Sequence, residues 1–170
     1  MTVLSREHIA RLLNANPPLI ESYRDAEEQL QPNGFDLTLR QVFTLPTRGT
    51  IAADNGQRQV SRLSPLAFDG DGFLDLPAGI YSITFNEVVH LPKNVMALGR
   101  PRSSLLRCGV TINTAVWDAG YSGRSESLLV VYHPLGFRLQ RDARVMQLVF
   151  FELSGETEGY SGVYQGENLG

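Results

Sequence analysis

The sequence contains a single cysteine, Cys108, in 170 residues. One cysteine excludes an internal disulfide and a cysteine-based zinc site, so we predict that Cys108 is a small buried hydrophobic residue. No run of about 18 consecutive apolar residues occurs, so the sequence predicts no membrane-spanning helix. The chain does not open on a basic-then-apolar signal pattern, and we therefore expect a cytoplasmic protein with no membrane partner.

Positive charge is also scarce, with 15 Lys and Arg against 18 Asp and Glu and a formal net charge of −3. Without an excess of positive charge or a stripe of aromatic and basic residues, the chain is not expected to bind nucleic acid. The histidines His8, His90 and His133 have no metal-ligand spacing and are expected to be surface or packing residues. Nucleophile-elbow, P-loop and dinucleotide-binding glycine motifs are absent.

Short β-type runs are the dominant pattern of the chain. Hydrophobic residues make up 42% of it, and 16 glycines and nine prolines are spread along its length. Short strands separated by Gly, Pro and Asp turns are typical of an all-β sandwich or barrel. We predict one domain over residues 1–170, with a short helix capped by Ser5. Strands are predicted over residues 79–85, 87–91, 95–98, 109–113, 125–132, 137–139 and 145–153.

A further strand is predicted from Gly34, where apolar and polar residues begin to alternate. The alternation places Phe35, Leu37 and Leu39 on one face and Asp36 on the other. From the local pattern alone, Asp36 is expected to be an exposed strand residue.

The remaining segments are polar. Residues 21–34 and 46–71 are predicted to be loops, with one strand near residues 60–66 in the second loop. Residues 155–170 are rich in glycine and polar residues and cannot form a core by themselves. They form either a disordered tail or a segment that closes over a site.

The stretch from Gly99 to Gly123 carries the clearest chemistry. Its first part holds Arg102, Ser103 and Ser104, with Arg107 close behind. Guanidinium groups and hydroxyls are donors that suit phosphate oxygens. The alternative is a solvated turn with salt bridges.

Asp118 lies further along the same stretch, between Trp117 and Tyr121. A carboxylate in a turn can position or deprotonate a water molecule, or it can merely accept a hydrogen bond from its own backbone. Packing is the simpler explanation for Trp117. Our hypothesis is that the arginines and serines of this stretch bind a polyphosphate and that Asp118 activates a water molecule.

In their order and spacing, seven segments resemble the superfamily of dUTP diphosphatases (dUTPases) and dCTP deaminases. The likeness is nearest to the archaeal-type dUTPases, which have a dCTP deaminase-like chain, and it covers most of the sequence. The segments are Gln31–Leu39, Leu76–Gly79, Asn86–Pro92, Arg102–Gly109, Thr114–Gly123, Asp142–Leu148 and Tyr160–Gly166.

The resemblance implies a distorted jelly-roll β-sandwich, a homotrimer with three interfacial active sites, and a Mg²⁺ bound mainly by the triphosphate. Asp118 falls on the aspartate that orients the attacking water, and Tyr121 on the residue that packs against the deoxyribose. Asp36 becomes a water-mediated partner of Mg²⁺. The tail from residue 155 becomes a possible active-site lid.

The resemblance also implies the residues that bind the substrate. Some contact phosphates, others read the pyrimidine through the backbone of residues 113–117, and others belong to the closing tail. The set is Arg102, Ser103, Ser104, Arg107, Asn113, Thr114, Ala115, Trp117, Tyr121, Gln147, Tyr160, Tyr164 and Gln165.

The function expected from the resemblance is hydrolysis of dUTP to dUMP and pyrophosphate, which supplies dUMP for nucleotide metabolism. The deaminases of the superfamily use a glutamate in the strand after the hairpin, and ungapped counting puts Leu128 there. Glu126 stands two residues earlier on the same face, and a bulge could bring it to the ring. Deamination of dCTP through Glu126, alone or in a bifunctional enzyme, is therefore the alternative. A non-catalytic nucleotide-binding jelly roll is the second alternative.

Overall fold

The computed structural model describes residues 2–169, and it is mostly β-structure with three short helices. The helices are α1 (Arg6–Leu13), α2 (Ala26–Gln29) and α3 (Ser103–Arg107), and Asn55–Gln57 form one turn of 3₁₀ helix. The strands are β1 (Thr2–Val3), β2 (Ile20–Glu21), β3 (Leu30–Gln31), β4 (Gly34–Thr44), β5 (Ser64–Pro65), β6 (Phe73–Leu76), β7 (Gly79–Phe85), β8 (Val88–His90), β9 (Val95–Pro101), β10 (Val110–Asn113), β11 (Val116–Trp117), β12 (Ser122–Gly123), β13 (Glu126–Val131), β14 (Phe137–Gln140) and β15 (Arg144–Glu152).

The strands pair antiparallel and form the curled sheets of a jelly roll, as predicted. The largest sheet has the order β10-β13-β7-β4-β15-β9-β11, with β1 beside β15 and with β3 and β5 beside β4. A three-stranded sheet has the order β12-β8-β2, and β14 pairs with β6. The aromatic side chains of Phe35, Phe85 and Phe150 are fully buried between these layers. Burial of a large apolar side chain stabilises the fold by about 1.5–3 kcal/mol.

The N-terminal helix begins where the sequence predicts. The Ser5 hydroxyl accepts a hydrogen bond from the His8 amide at 3.4 Å, and Asn14 ends the helix. The buried face of the helix is centred on Ile9. No helix among residues 2–169 has the length and apolar composition needed to cross a membrane.

The expectation that Asp36 is exposed is wrong. Asp36 is only 2% exposed, because the Arg102 and Arg144 side chains lie against its carboxylate. The alternation of Phe35, Leu37 and Leu39 correctly predicts a strand. It does not distinguish a solvated face from one covered by polar partners.

The prediction that Cys108 is buried is also wrong, because its thiol is exposed at the end of α3. The segment at residues 21–34 is not a plain loop. It contains α2, whose first turn is capped by the Asp25 carboxylate, which accepts a hydrogen bond from the Glu27 amide at 2.8 Å. The second predicted loop is largely irregular, and β5 lies within its predicted strand.

Candidate active site

A cavity of about 690 Å³ lies beside the hairpin that holds Asp118. Trp117, Asp118 and Tyr121 form one wall, and Tyr160 and Tyr164 of the C-terminal tail form another. The rest of the lining comes largely from the irregular loop after β4: Leu45, Gly49, Thr50, Ile51, Gln59, Val60, Ser61 and Leu63. The cavity has the size of an ordinary small-molecule site.

The Asp118 carboxylate is exposed in the cavity wall. Its backbone carbonyl accepts the turn hydrogen bond from the Tyr121 amide at 3.1 Å. Its carboxylate makes no hydrogen bond or ion pair within residues 2–169, so it is not the self-bonded turn aspartate of the simpler hypothesis. A carboxylate in this position is free to accept a proton from a water molecule in the cavity.

Tyr121 and Trp117 are both buried, with 6% and 4% of their surface exposed. The Tyr121 hydroxyl donates a hydrogen bond of 2.8 Å to Oε1 of Glu167 in the tail. Burial, together with the Glu167 carboxylate, raises the pKa of Tyr121, so the phenol stays neutral. Its ring meets that of Tyr160 edge to face at 5.9 Å. Packing is confirmed for Trp117, which also contributes its surface to the cavity.

The C-terminal tail is docked on the hairpin and closes one side of the cavity. The Tyr160 amide donates to the Ala119 carbonyl at 2.8 Å, and the Gly166 amide donates to the Ser122 carbonyl at 2.7 Å. The Gln165 side chain bridges the same hairpin, since its amide group donates to the Gly120 carbonyl and its oxygen accepts from the Ser122 amide, both at 3.0 Å.

This docking depends on glycine in the hairpin. Gly120 has φ of +84°, and a Cβ atom there would lie 2.7 Å from Cα of Gly159. A side chain at residue 120 would therefore be strained and would push the tail away from the cavity.

The predicted phosphate-binding residues form a separate cluster around Asp36. The Arg102 Nε atom lies 3.2 Å from Oδ2 of Asp36, and the Arg144 Nη1 atom lies 3.7 Å from the same oxygen. Burial raises the pKa of Asp36, although both guanidinium groups oppose this shift. Ser103 and Ser104 are exposed next to Arg102, and Gln147 pairs with Asp36 across the sheet. Asp36 thus holds two arginines in place.

Glu87 stabilises strand β4 next to this cluster. No role for it is predicted from the sequence. It is 1% exposed and accepts hydrogen bonds from the Thr38 amide at 2.9 Å and the Thr38 hydroxyl at 2.7 Å. The Gln29 side-chain amide donates to Glu87 at 2.7 Å and to the Asp36 carbonyl at 2.9 Å. Burial raises the pKa of Glu87. The only signal in the sequence is a carboxylate directly before an apolar strand.

Within one chain, the predicted site residues fall into two groups. Ala115, Trp117, Asp118, Tyr121, Tyr160 and Tyr164 line the cavity, and Gln165 holds the tail beside it. The other predicted residues do not line it: Arg102, Ser103, Ser104, Arg107, Asn113, Thr114 and Gln147. Of these, Arg107 and Asn113 are exposed, and the Thr114 hydroxyl donates to the Gly99 carbonyl at 3.4 Å.

Residues 2–169 contain no group of three or more His, Cys, Asp or Glu side chains that could hold a metal ion. Asp36 offers one carboxylate, and two arginines already contact it. Mg²⁺ keeps several water ligands and is commonly held by few carboxylates together with substrate phosphates. These residues therefore fit a Mg²⁺ carried by a polyphosphate and met by Asp36 through water, but not a metal bound directly by the protein.

Glu126 also lines the cavity, whereas Leu128 does not. Strand β13 pairs with β7 without a register shift, with Glu126 opposite Thr84 and Leu128 opposite Ser82. The bulge considered from the sequence is therefore absent, yet a regular strand already brings Glu126 to the cavity. Neither Glu167 nor the lining residues of the loop after β4 can be assigned to the site from the sequence, because neither has a motif of its own.

The contact between Glu167 and Tyr121 predicts that tail docking depends on pH. Burial raises the pKa of Glu167 above its usual 4.5; the Tyr121 hydrogen bond opposes this shift and the nearby Glu126 adds to it. The docked tail therefore favours the protonated acid, and docking is expected to weaken as pH rises from 4.5 through the raised pKa. Emission from Trp117, the only tryptophan, would report it.

In Glu167→Gln this pH response is expected to disappear, because the amide does not titrate. Glu158→Gln, at an exposed tail position, is the matched control and should keep the wild-type response. An unchanged response in Glu167→Gln would assign the titration to another group.

Comparison with known proteins gives a consistent result. A family model described as "dCTP deaminase-like" matches residues 3–153. A Methanosarcina mazei protein named probable deoxyuridine 5'-triphosphate nucleotidohydrolase is 54% identical over 169 residues, which is 99% of both chains. A protein of the same name from Archaeoglobus fulgidus is 48% identical over 99% of both chains.

Among solved structures, the 2'-deoxycytidine 5'-triphosphate deaminase from Agrobacterium tumefaciens aligns with a TM-score of 0.64 at 22% identity. The alignment covers 87% of this chain and 47% of that one, so the chain spans about half the length of the deaminase. At this identity the likeness supports the fold alone.

Proposed function

Because the chain belongs to the dCTP deaminase-like family, and relatives named dUTP nucleotidohydrolases match its whole length, we propose that it is a dUTP diphosphatase. It hydrolyses dUTP to dUMP and pyrophosphate. The observation that carries this proposal is the Asp118 carboxylate, which has no partner among the described residues 2–169 and lies in the wall of a cavity that Tyr121 and the docked tail also line. We further propose that residues 1–170 act as one domain in the cytoplasm, without a nucleic-acid partner.

In the proposed mechanism, Asp118 orients a water molecule and accepts its proton as the water oxygen bonds to phosphorus. The bond between the α- and β-phosphates breaks, and pyrophosphate leaves. General-base assistance of this kind contributes about 10²- to 10⁴-fold in rate. The exposed position of Asp118 in the cavity supports the role, since no protein group competes for the carboxylate within residues 2–169.

Arg102, Ser103, Ser104 and Gln147 would bind the phosphates. Their donors stabilise the negative charge that grows on the leaving pyrophosphate. Asp36 keeps Arg102 oriented and would meet a phosphate-bound Mg²⁺ through water. When bound, Mg²⁺ neutralises charge on the triphosphate.

The remaining cavity residues would select the nucleoside. The Tyr121 ring is held between Glu167 and Tyr160, so a sugar packed on it meets a fixed surface. Such a surface leaves no room for a 2′-hydroxyl. The backbone from Asn113 to Trp117, including Thr114 and Ala115, would bind the pyrimidine edge. Tyr164 and Gln165 of the tail would exclude bulk water.

We also propose that the enzyme is a homotrimer whose sites lie between subunits. The support is the separation of the two groups of site residues, because the Arg102 cluster does not line the cavity of its own chain. A second copy that presents its Arg102 cluster to this cavity would complete the site. Symmetric homo-oligomers repeat such a contact until the ring closes.

Complementation tests this arrangement. Asp118→Asn and Arg102→Ala chains, each inactive alone, would be co-expressed with different tags, and assemblies carrying both tags would be purified. If the two residues act across an interface, a mixed trimer has one intact site in three. The purified doubly tagged assemblies should then recover about a third of the wild-type rate.

Asp118→Asn chains co-expressed with wild-type chains are the reference, because the turnover of their doubly tagged assemblies shows that different subunits combine into active mixed assemblies. If doubly tagged assemblies stay inactive while this reference is active, both residues belong to the same subunit's site, and the interfacial arrangement is wrong.

The first test of the function is parallel incubation of the protein with dUTP and with dCTP in the presence of Mg²⁺, with pyrophosphate and ammonia measured separately. We expect pyrophosphate from dUTP and no ammonia from dCTP. Absence of both products would contradict the enzymatic function and favour a nucleotide-binding jelly roll.

Deamination of dCTP is the second candidate function, and the observation that favours it is Glu126 in the cavity wall. A carboxylate there could move protons between water and the pyrimidine ring as ammonia leaves. If ammonia is released from dCTP and Glu126→Gln abolishes only that release, the enzyme is bifunctional. If Glu126→Gln has no effect on ammonia release, Glu126 is not the proton shuttle.

A further inference from the structure

A second cavity, of about 460 Å³, lies on the other side of the docked tail and is rich in arginine. Arg40 from β4, Arg124 from the hairpin and Arg141 from the turn before β15 all line it, and Asn168 of the tail closes one edge. None of these residues belongs to the motifs assigned to dUTP. The cavity therefore needs its own explanation.

The three guanidinium groups have no carboxylate partner within 4 Å among residues 2–169. Four other arginines, Arg24, Arg102, Arg138 and Arg144, each form an ion pair among those residues, and the remaining arginines do not. The Arg141 guanidinium stacks on the Phe68 ring at 4.5 Å. Stacking uses the face of the guanidinium and leaves its N–H edge free to donate.

Asp142, next to Arg141 in the sequence, and Glu87, next to Asn86, are both engaged by other partners. Asp142 forms an ion pair of 2.8 Å with Arg24 and accepts a hydrogen bond from Asn86 at 2.8 Å. Glu87 is enclosed by Gln29 and Thr38. Neither carboxylate contacts the three arginines of the cavity.

Arg124 shows that this concentration of positive charge is unfavourable. Arg124 is 7% exposed, and among residues 2–169 its side chain donates only to backbone carbonyls, those of Asn86 at 3.3 Å and of Asn168. Burial and the positive charge of Arg40 lower the pKa of Arg124, with Glu87 opposing the shift. A buried charge that meets a like charge is stabilised by a bound anion.

Arg124 also holds the tail. Its amide donates to the Glu167 carbonyl at 2.9 Å, and the Asn168 side chain donates to the Arg124 carbonyl at 3.0 Å. Because Glu167 in turn accepts from Tyr121, the second cavity and the Asp118 cavity share one tail segment.

We propose that the cavity between Arg40, Arg124 and Arg141 binds a phosphate-type oxyanion and that its occupancy stabilises the docked tail. Guanidinium groups match the charge and the oxygen geometry of phosphate. The anion would reduce the repulsion between Arg40 and Arg124, so Arg124 would keep its contacts with Glu167 and Asn168.

The test is calorimetric titration of the protein with pyrophosphate and, in a second arm, with ATP. A non-hydrolysable dUTP analogue at saturation keeps both ligands out of the Asp118 cavity. We expect binding that weakens at least about tenfold in Arg40→Gln, Arg141→Gln and the double variant, and that weakens with added salt. Arg11→Gln, an exposed arginine on α1, is the matched control and should bind as the wild type does.

Arg40 and Arg141 are exposed, so their variants should fold, and their thermal midpoints check this. Equal affinity for pyrophosphate and ATP would show that the cavity recognises only the phosphate groups. Tighter binding of ATP would show that the bound phosphates belong to a nucleotide. Pyrophosphate should also protect the tail from limited proteolysis in the wild type and not in the double variant.

The proposal is overturned if the double variant binds as tightly as wild type, or if the dUTP analogue abolishes all anion binding. The second result would place the anion in the Asp118 cavity. Turnover of dUTP by the variants is measured separately, so failure of the anion site and failure of the diphosphatase function give different results.

Discussion

Asp118→Asn is expected to lower the rate of dUTP hydrolysis by about 10³-fold while nucleotide binding survives. The amide keeps the size of the carboxylate but cannot accept the proton of the attacking water. Asp118 has no hydrogen bond to lose within residues 2–169, so the free energy of unfolding should stay within about 0.5 kcal/mol of wild type. The measurements are pyrophosphate release and the affinity for a non-hydrolysable dUTP analogue.

Asp71→Asn is the matched control, because Asp71 is exposed and does not line the cavity. It should keep the wild-type rate. If Asp118→Asn retains substantial turnover, Asp118 has no part in the mechanism, and another group must activate the water.

Deletion of residues 160–170 is expected to lower turnover on the order of 100-fold, and to affect folding much less. The tail contributes two tyrosines to the cavity wall, and its Glu167 fixes Tyr121. Without it, water enters and the sugar-binding ring is no longer held. Of the tail residues, Tyr160 packs against the core and is only partly buried, so the loss in unfolding free energy should be about 1–3 kcal/mol.

Gln165→Ala tests whether full turnover requires the tail to be docked on the hairpin, and not merely to be present. It removes the two hydrogen bonds that the side chain makes with the hairpin and leaves the rest of the chain intact. We expect a smaller loss of turnover than for the deletion, with unchanged thermal stability. If the truncated protein turns over dUTP at the full rate, the tail does not act as a lid.

Local patterns in the sequence are enough to predict most of the strands and the first helix. Alternation and turn residues mark the long strands because each depends only on neighbouring residues. The Ser5 cap is confirmed for the same reason. Asp118 and Tyr121 also stand out, because a hairpin presents both residues on one short stretch of chain. The sequence thus determined the fold class, the family and the hairpin that faces the cavity.

Contacts between distant segments decided the rest. Asp36 is buried because Arg102 and Arg144 from other segments lie against it, and Cys108 is exposed because it ends α3 at the surface. Neither outcome can be deduced from local alternation, since burial depends on which strands become neighbours. The docking of the tail on the hairpin likewise depends on contacts across more than 40 residues of chain.

The arginine cavity illustrates the same limit. Arg40, Arg124 and Arg141 are far apart in the sequence, and each alone looks like an ordinary solvated side chain. The sheet and the hairpin bring them around one space, and the carboxylates nearby are engaged by other partners. Sequence determines which charges a chain carries. Only the tertiary structure decides which of them meet, because the Coulomb energy between two charges depends on the distance and solvent that separate them.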